Sequence, residues 1–120
     1  MKLYQHYSLY GFSNIYLLGN DETHEALVVD PAEMNALMLE HIEHNGYALR
    51  AALITHNHVH HIRGLKTLLR IYDAEVYAAN SLVGGITCHP VRDGDSLDIC
   101  GFTVDCYSVP GHSPDSIVYR

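Results

Sequence analysis

The chain has 120 residues, 48% of them hydrophobic and 18% charged, with a formal net charge of −7. That length fits one compact domain, and ordinary apolar content without a long charge block excludes intrinsic disorder. No run approaches the roughly 18 apolar residues of a spanning helix, residues 1–19 read as no secretory signal, and seven Lys plus Arg against fourteen Asp plus Glu do not supply the clustered cations of a nucleic-acid surface.

Residues 2–10 form a first apolar stretch, broken by Gly11 and Ser13-Asn14. Residues 15–18 and 26–29 read as strands joined by the polar turn Gly19-Asn20-Asp21-Glu22, and Asp30-Pro31 stops the second of them. From 33 to 45, Met34, Leu37, Met38 and Ile42 recur at helical spacing, with Gly46 as the C′ residue. The short apolar run 51–54 reads as a buried strand. Ile62, Leu65, Leu68, Leu69 and Tyr72 share one face of a second helix from about 61 to 72. Residues 75–78 return as a strand, and Asp93-Gly94-Asp95 marks a turn. Residues 97–100 and 102–109 form a hairpin around Gly101, and 116–119 close the chain as a strand. About eight short strands and two helices in this order predict an α/β (α+β) fold, mostly one β-sheet with two helices on its outer face. The last strand runs to Arg120 with no turn residues behind it, so residues 1–120 are expected to form one incomplete domain.

Cys88, Cys100 and Cys106 are odd in number and contain no C-x-x-C, so neither a disulfide framework nor a zinc ribbon is indicated. A reducing cytoplasm is the expected compartment. Cys88, beside His89, reads as a thiolate ligand or nucleophile, or as a small buried side chain, and general burial preference favours the second.

The composition stands out in histidine, with ten in the chain and four between positions 56 and 61. In Thr55-His56-Asn57-His58-Val59-His60-His61, between a predicted strand and a predicted helix, extended backbone lets His56 and His58 project to one side. His61, at the helix start, turns back toward them. Four imidazoles in six residues are hard to place in a dry core, since each needs a polar partner. Neutral imidazole is a common ligand for zinc and also serves iron. Pro110-Gly111-His112-Ser113-Pro114-Asp115-Ser116 follows another strand, where Pro110 fixes φ and Gly111 allows a tight turn. His112 then supplies a third imidazole from a second loop. Three protein nitrogens with an open fourth position make a catalytic site rather than a closed structural one.

With these two motifs the chain resembles the N-terminal half of a metallo-β-lactamase-fold hydrolase, the superfamily that includes glyoxalase II. The family pattern His-x-His-x-Asp-His corresponds to His56-Asn57-His58-Val59-His60-His61, and its Gly-His-Ser/Thr-Pro-Gly-Ser turn to Gly111-His112-Ser113-Pro114-Asp115-Ser116. Val28-Val29-Asp30-Pro31 and Asp93-Gly94-Asp95-Ser96-Leu97 also match. The resemblance implies half of an αββα sandwich, in which His56, His58 and His112 hold a first metal and His61 helps hold a second. It places His60 where the family has an Asp that ligates the second metal and orients water. An imidazole there does not offset metal charge, so either it ligates through nitrogen or the second site is weak or empty. Asp115 stands where the family has Gly. The resemblance further implies that a C-terminal half supplies the bridging Asp and the last His, so the chain is expected to pair with that half or with a second copy of itself.

The expected cofactor is Zn2+, one or two ions, with iron as the alternative, and the expected partner is a small-molecule substrate. Metal on three imidazoles lowers the pKa of bound water to about 7, which suits hydrolysis of an ester, thioester or lactone. Two other readings stay open. One is a mono-iron dioxygenase acting on persulfides, which the imidazole at His60 favours. The other is a non-catalytic metal-binding or assembly module with an incomplete site. Elsewhere, His41 and His44 with Glu40 and Glu43 read as a solvated helix face. Asp30 reads either as a residue that holds the histidine segment by hydrogen bonds or as a strand-end cap.

Overall fold

Alternation of apolar side chains along the central strands sends them into two separate cores. A computed structural model describes residues 2–8, 13–31, 36–55, 64–83, 85–108 and 117–120. Strands β1 (Lys2–Ser8), β2 (Ser13–Asn20) and β3 (Glu25–Val29) form an antiparallel meander. Helix α1 (Ala36–His44) then crosses to β4 (Ala48–Leu53), which lies parallel to β3. Helix α2 (Leu65–Ile71) crosses to β5 (Glu75–Ala78), parallel to β4. After a small hairpin, β6 (Leu82–Val83) and β7 (Ile86–Thr87), the two-residue β8 (His89–Pro90) adds at the edge. The six-stranded order is β1-β2-β3-β4-β5-β8. A second, antiparallel sheet has the order β11-β10-β9, from β9 (Ser96–Ile99), β10 (Phe102–Ser108) and β11 (Ile117–Tyr119).

One face of the large sheet packs on the helices. Ile15, Leu17, Ala26, Val28, Ala52 and Ile54 meet Met38 and Ile42 of α1 and Leu65 and Leu68 of α2. The other face packs on the second sheet, where Leu27, Ala51 and Leu53 meet Ile99, Cys100 and Val104. Each fully buried Leu or Ile is worth roughly 1.5–3 kcal/mol of transfer free energy, so both layers matter to stability. The second sheet therefore covers that other face in part.

A β-bulge lets β4 serve both cores. Ala26 pairs Leu49 but Leu27 pairs Ala51, so Arg50 is an extra residue in the ladder. Leu49 enters the helix-side core and Ala51 the opposite one, although they are two apart. Arg50 itself is exposed, and its Nε donates to Glu25 Oε2 at 3.1 Å.

All eight sequence-predicted strands are present, and β6, β7 and β8 are additional. At two residues each, those three are too short for periodicity to register. Helix α1 ends as expected. Gly46 has φ +67°, Tyr47 N–H donates to the Ile42 carbonyl at 3.0 Å, and Gly46 N–H donates to Glu43 at 3.1 Å. The described part of the second helix begins at Leu65, later than the predicted 61, with Gly64 as its N-cap. The Gly64 N–H is committed to the Pro31 carbonyl at 2.7 Å. The predicted hairpin around Gly101 is a two-residue turn with φ 56° at Cys100 and 81° at Gly101. Among the described residues, no helix is long and apolar enough to cross a membrane.

Gly19 is the tightest point of the meander. A Cβ there would come within 2.1 Å of the Tyr47 ring. Tyr47 is buried, and its hydroxyl donates to Asp21 Oδ1 at 2.9 Å, so the ring cannot swing away freely. Gly19→Ala is expected to lower stability by about 1–3 kcal/mol, read as a drop in the urea midpoint. An unchanged midpoint would show that the ring yields.

Candidate metal centre

His56, His58, His60, His61 and His112 all lie outside the described residues. The structure does define the roots from which their two segments leave, and these roots are tightly fastened. The first segment, 56–63, leaves the carboxyl end of β4, the end at which open α/β sheets bind ligands.

Both ends of that segment are tied to one dipeptide, Asp30-Pro31. At the start, Thr55 N–H donates to Asp30 Oδ1 at 2.8 Å, and the Thr55 hydroxyl donates to Asp30 Oδ2. At the finish, Gly64 N–H donates to the Pro31 carbonyl. Asp30 N–H in turn donates to the Leu53 carbonyl at 2.9 Å. Asp30 is 7% exposed and adopts φ 51°, a left-handed conformation that Asp tolerates better than most residues. Of the two readings open for Asp30, the geometry shows the loop-holding one.

The second segment, 109–116, spans the end of the β10–β11 ladder. Ser108 pairs Ile117, and Ser108 N–H donates to Asp93 Oδ1 at 3.0 Å. Asp93 thus does more than shape its turn. Arg92 N–H donates to Asp95 Oδ2 at 2.7 Å, and Gly94 has φ +86°, as the predicted turn requires.

The two roots meet through Tyr119, which the reading of the sequence missed. Its hydroxyl donates to the Ile54 carbonyl at 2.8 Å and lies 3.2 Å from the Tyr77 carbonyl. Burial pushes its pKa upward, so it stays a donor. The signal available in the sequence was a Tyr on a strand directly after a histidine turn, since a buried hydroxyl needs a partner. Thr55 and Tyr119 also line a cavity of about 300 Å³ between the sheets, with Tyr16, Leu18, Val29 and Phe102 among its apolar walls.

The remaining candidates carry structural roles. Cys88, Cys100 and Cys106 are free and buried, and burial raises each thiol pKa, that of Cys100 to about 11. Thiols so desolvated are poor nucleophiles. His89 contacts Glu75 and stacks on Tyr77 with ring centroids 5.0 Å apart. Glu40, Glu43 and His44 are exposed on α1, as a solvated face predicts, whereas His41 is half-buried. Among the described residues no group of three or more His, Cys, Asp or Glu side chains is placed to hold a metal.

The sequence model of the metallo-beta-lactamase superfamily matches residues 10–84. The chain belongs to that superfamily. A hydroxyacylglutathione hydrolase from Methylobacillus flagellatus is 38% identical over 96 residues, a match covering 78% of this chain and 38% of the relative. The chain thus spans about two fifths of that relative's length. Among solved structures, the BLEG-1 B3 metallo-beta-lactamase aligns with TM-score 0.82 at 26% identity, covering 99% of this chain and 66% of that one. ETHE1 from Myxococcus xanthus aligns with TM-score 0.86 at 24% identity, covering 100% and 53%. TTHA1623 in a di-iron-bound form aligns with TM-score 0.79 at 21% identity, covering 98% and 66%. The expected partial metallo-β-lactamase fold is therefore the observed one, and metal ions occur in proteins of this fold.

Asp30 is expected to act through both carboxylate oxygens. Asp30→Ala leaves two Thr55 donors without their acceptor and should cost about 1–3 kcal/mol in urea unfolding. Thr55→Val removes only the hydroxyl bond and should cost less. Equal losses in the two variants would assign the anchor to the hydroxyl alone.

Proposed function

We propose that the chain is the metal-binding part of a hydrolase that cleaves a small ester, thioester or lactone. In this reading His56, His58 and His112 hold one metal ion, and His61 serves a second with His60 at the family's Asp position. The observation that carries it is the junction at Tyr119, which brings the roots of the two histidine segments together. The superfamily membership and the hydroxyacylglutathione hydrolase relative support the same reaction class.

The donor set suits zinc or iron, because both accept neutral imidazole. When bound, the metal supplies Lewis-acid activation of water and of the substrate carbonyl. The chain's own residues supply rigidity. Asp30 and Pro31 fix the ends of 56–63, and the Ser108–Ile117 pair with Asp93 fixes those of 109–116. Ligands on pinned segments lose less conformational freedom on binding a metal. Three unpaired cysteines suit a reducing compartment, and we assign the chain to the cytoplasm.

A second reading, a mono-iron dioxygenase acting on persulfides, is favoured by His60. A neutral ring in place of a carboxylate does not offset the charge of a second cation. Elemental analysis separates the two, with zinc expected for the hydrolase and one iron per chain for the dioxygenase. His58→Ala is expected to abolish both metal retention and thioester hydrolysis. Hydrolysis at the native rate in that variant would end the assignment.

We further infer that a C-terminal half of the family type covers the cavity-bearing face. Beyond β10, β11 has no strand partner among the described residues, and the cavity beside it is largely apolar. The matched relative carries more chain than this one. Without that half, the chain is expected to bind an apolar dye such as anilinonaphthalene sulfonate or to self-associate. A dye-free monomer of 13.4 kDa would refute the inference.

A further inference from the structure

Tyr119 sits in a backbone that has little freedom. It pairs with Cys106 in the β10–β11 ladder, and Arg120 and Asp105 exchange two backbone hydrogen bonds of 2.8 Å beside it. From this fixed base the phenol crosses from the second sheet to the first. It ends on the carbonyl of Ile54, one residue past β4, and against that of Tyr77 on β5. The Ile54 N–H already donates to the Tyr77 carbonyl at 2.9 Å. The hydroxyl therefore joins the place where the parallel ladder of β4 and β5 ends.

The position matters because of what adjoins it in the chain. Ile54 is two residues before His56, and Tyr119 is seven after His112. Asp30-Pro31 fastens only the first histidine segment, and the Ser108–Ile117 pair with Asp93 fastens only the second. The described hydrogen bonds thus anchor each segment within its own sheet, whereas the Tyr119 hydroxyl spans the sheets. A ligand set drawn from two segments binds a metal only as well as those segments are held at the right separation.

We propose that Tyr119 is a positioning residue whose hydroxyl, seated on the Ile54 carbonyl, sets the spacing between the segment bearing His56, His58 and His61 and the segment bearing His112. The proposal rests on the metal reading of those histidines. The ring's packing contributes to the core in any case. The hydroxyl is the part that carries registration between the two segments.

The test uses the full chain with zinc alone, and affinity is read by competition with a chromophoric chelator. Tyr119→Phe keeps the ring and removes the hydroxyl. It is expected to weaken zinc binding by about 10-fold or more, approaching what loss of a group bonded directly to a ligand costs. It should also shift the visible bands of cobalt loaded in place of zinc, which report ligand geometry. Tyr72→Phe removes a hydroxyl bonded to Glu43 at 2.9 Å on the helix side and is expected to bind zinc as the native chain does. Native zinc affinity and an unchanged cobalt spectrum in Tyr119→Phe would overturn the positioning role and leave the metal reading standing. A native chain that holds no zinc, cobalt or iron would overturn both. If Tyr119→Phe does not fold, hydrogen exchange on the native chain decides. Zinc should protect peptides from 54–64 and 108–119 together, and protection of only one would overturn the proposal.

Discussion

A buried carboxylate with two donors from one residue is the constraint on which the histidine-bearing end depends. Burying an unpaired carboxyl group is costly, and Asp30 avoids that cost by taking both the N–H and the hydroxyl of Thr55. Its left-handed backbone turns the chain at the end of β3, so that the next residue, Pro31, presents its carbonyl to Gly64. One short stretch thereby sets where β4 ends, where α2 begins, and where the intervening eight residues are attached. Chemistry that needs several side chains in register is well served by such an anchor, since the segment's two ends cannot drift independently.

The anchor itself depends on the sheet that carries it. β3 and β4 are buried on both faces, and their side chains are divided between a helix layer and a second sheet. Strict alternation along β4 would send Leu49 and Ala51 to the same side. The bulge at Arg50 changes the phase, so that the end of the strand, Leu53-Ile54-Thr55, meets the correct neighbours. A slip of one residue there would turn Thr55 away from Asp30. The bulge thus links strand packing to the placement of the candidate site.

Membership in the metallo-beta-lactamase superfamily and the fastening of the two roots point in the same direction. The fold provides two sheets, each ending in a histidine-bearing segment, and the structure ties those ends together at Tyr119. Burial raises the pKa of all three thiols, which disfavours the thiolate that nucleophilic chemistry needs.

Much of this was legible in the linear chain. The eight longer strands, the end of α1 at Gly46, the turn at Gly94 and the two-residue hairpin at Cys100-Gly101 follow from local patterns and from residues that tolerate positive φ. The histidine motifs are likewise local in sequence, but His56, His58, His60, His61 and His112 lie outside the described residues. What only the tertiary structure decided is non-local. Of the two-residue strands, β8 exists through pairing with a distant partner, His89 with Tyr77. The start of α2 is set by a carbonyl more than thirty residues away, that of Pro31. By local pattern alone Tyr119 is one more aromatic in an apolar strand; it is the fold that places the Ile54 carbonyl under its hydroxyl. Periodicity and motif spacing report what a residue prefers among its chain neighbours; a hydrogen bond between sheets depends on how the layers dock, which no local pattern encodes.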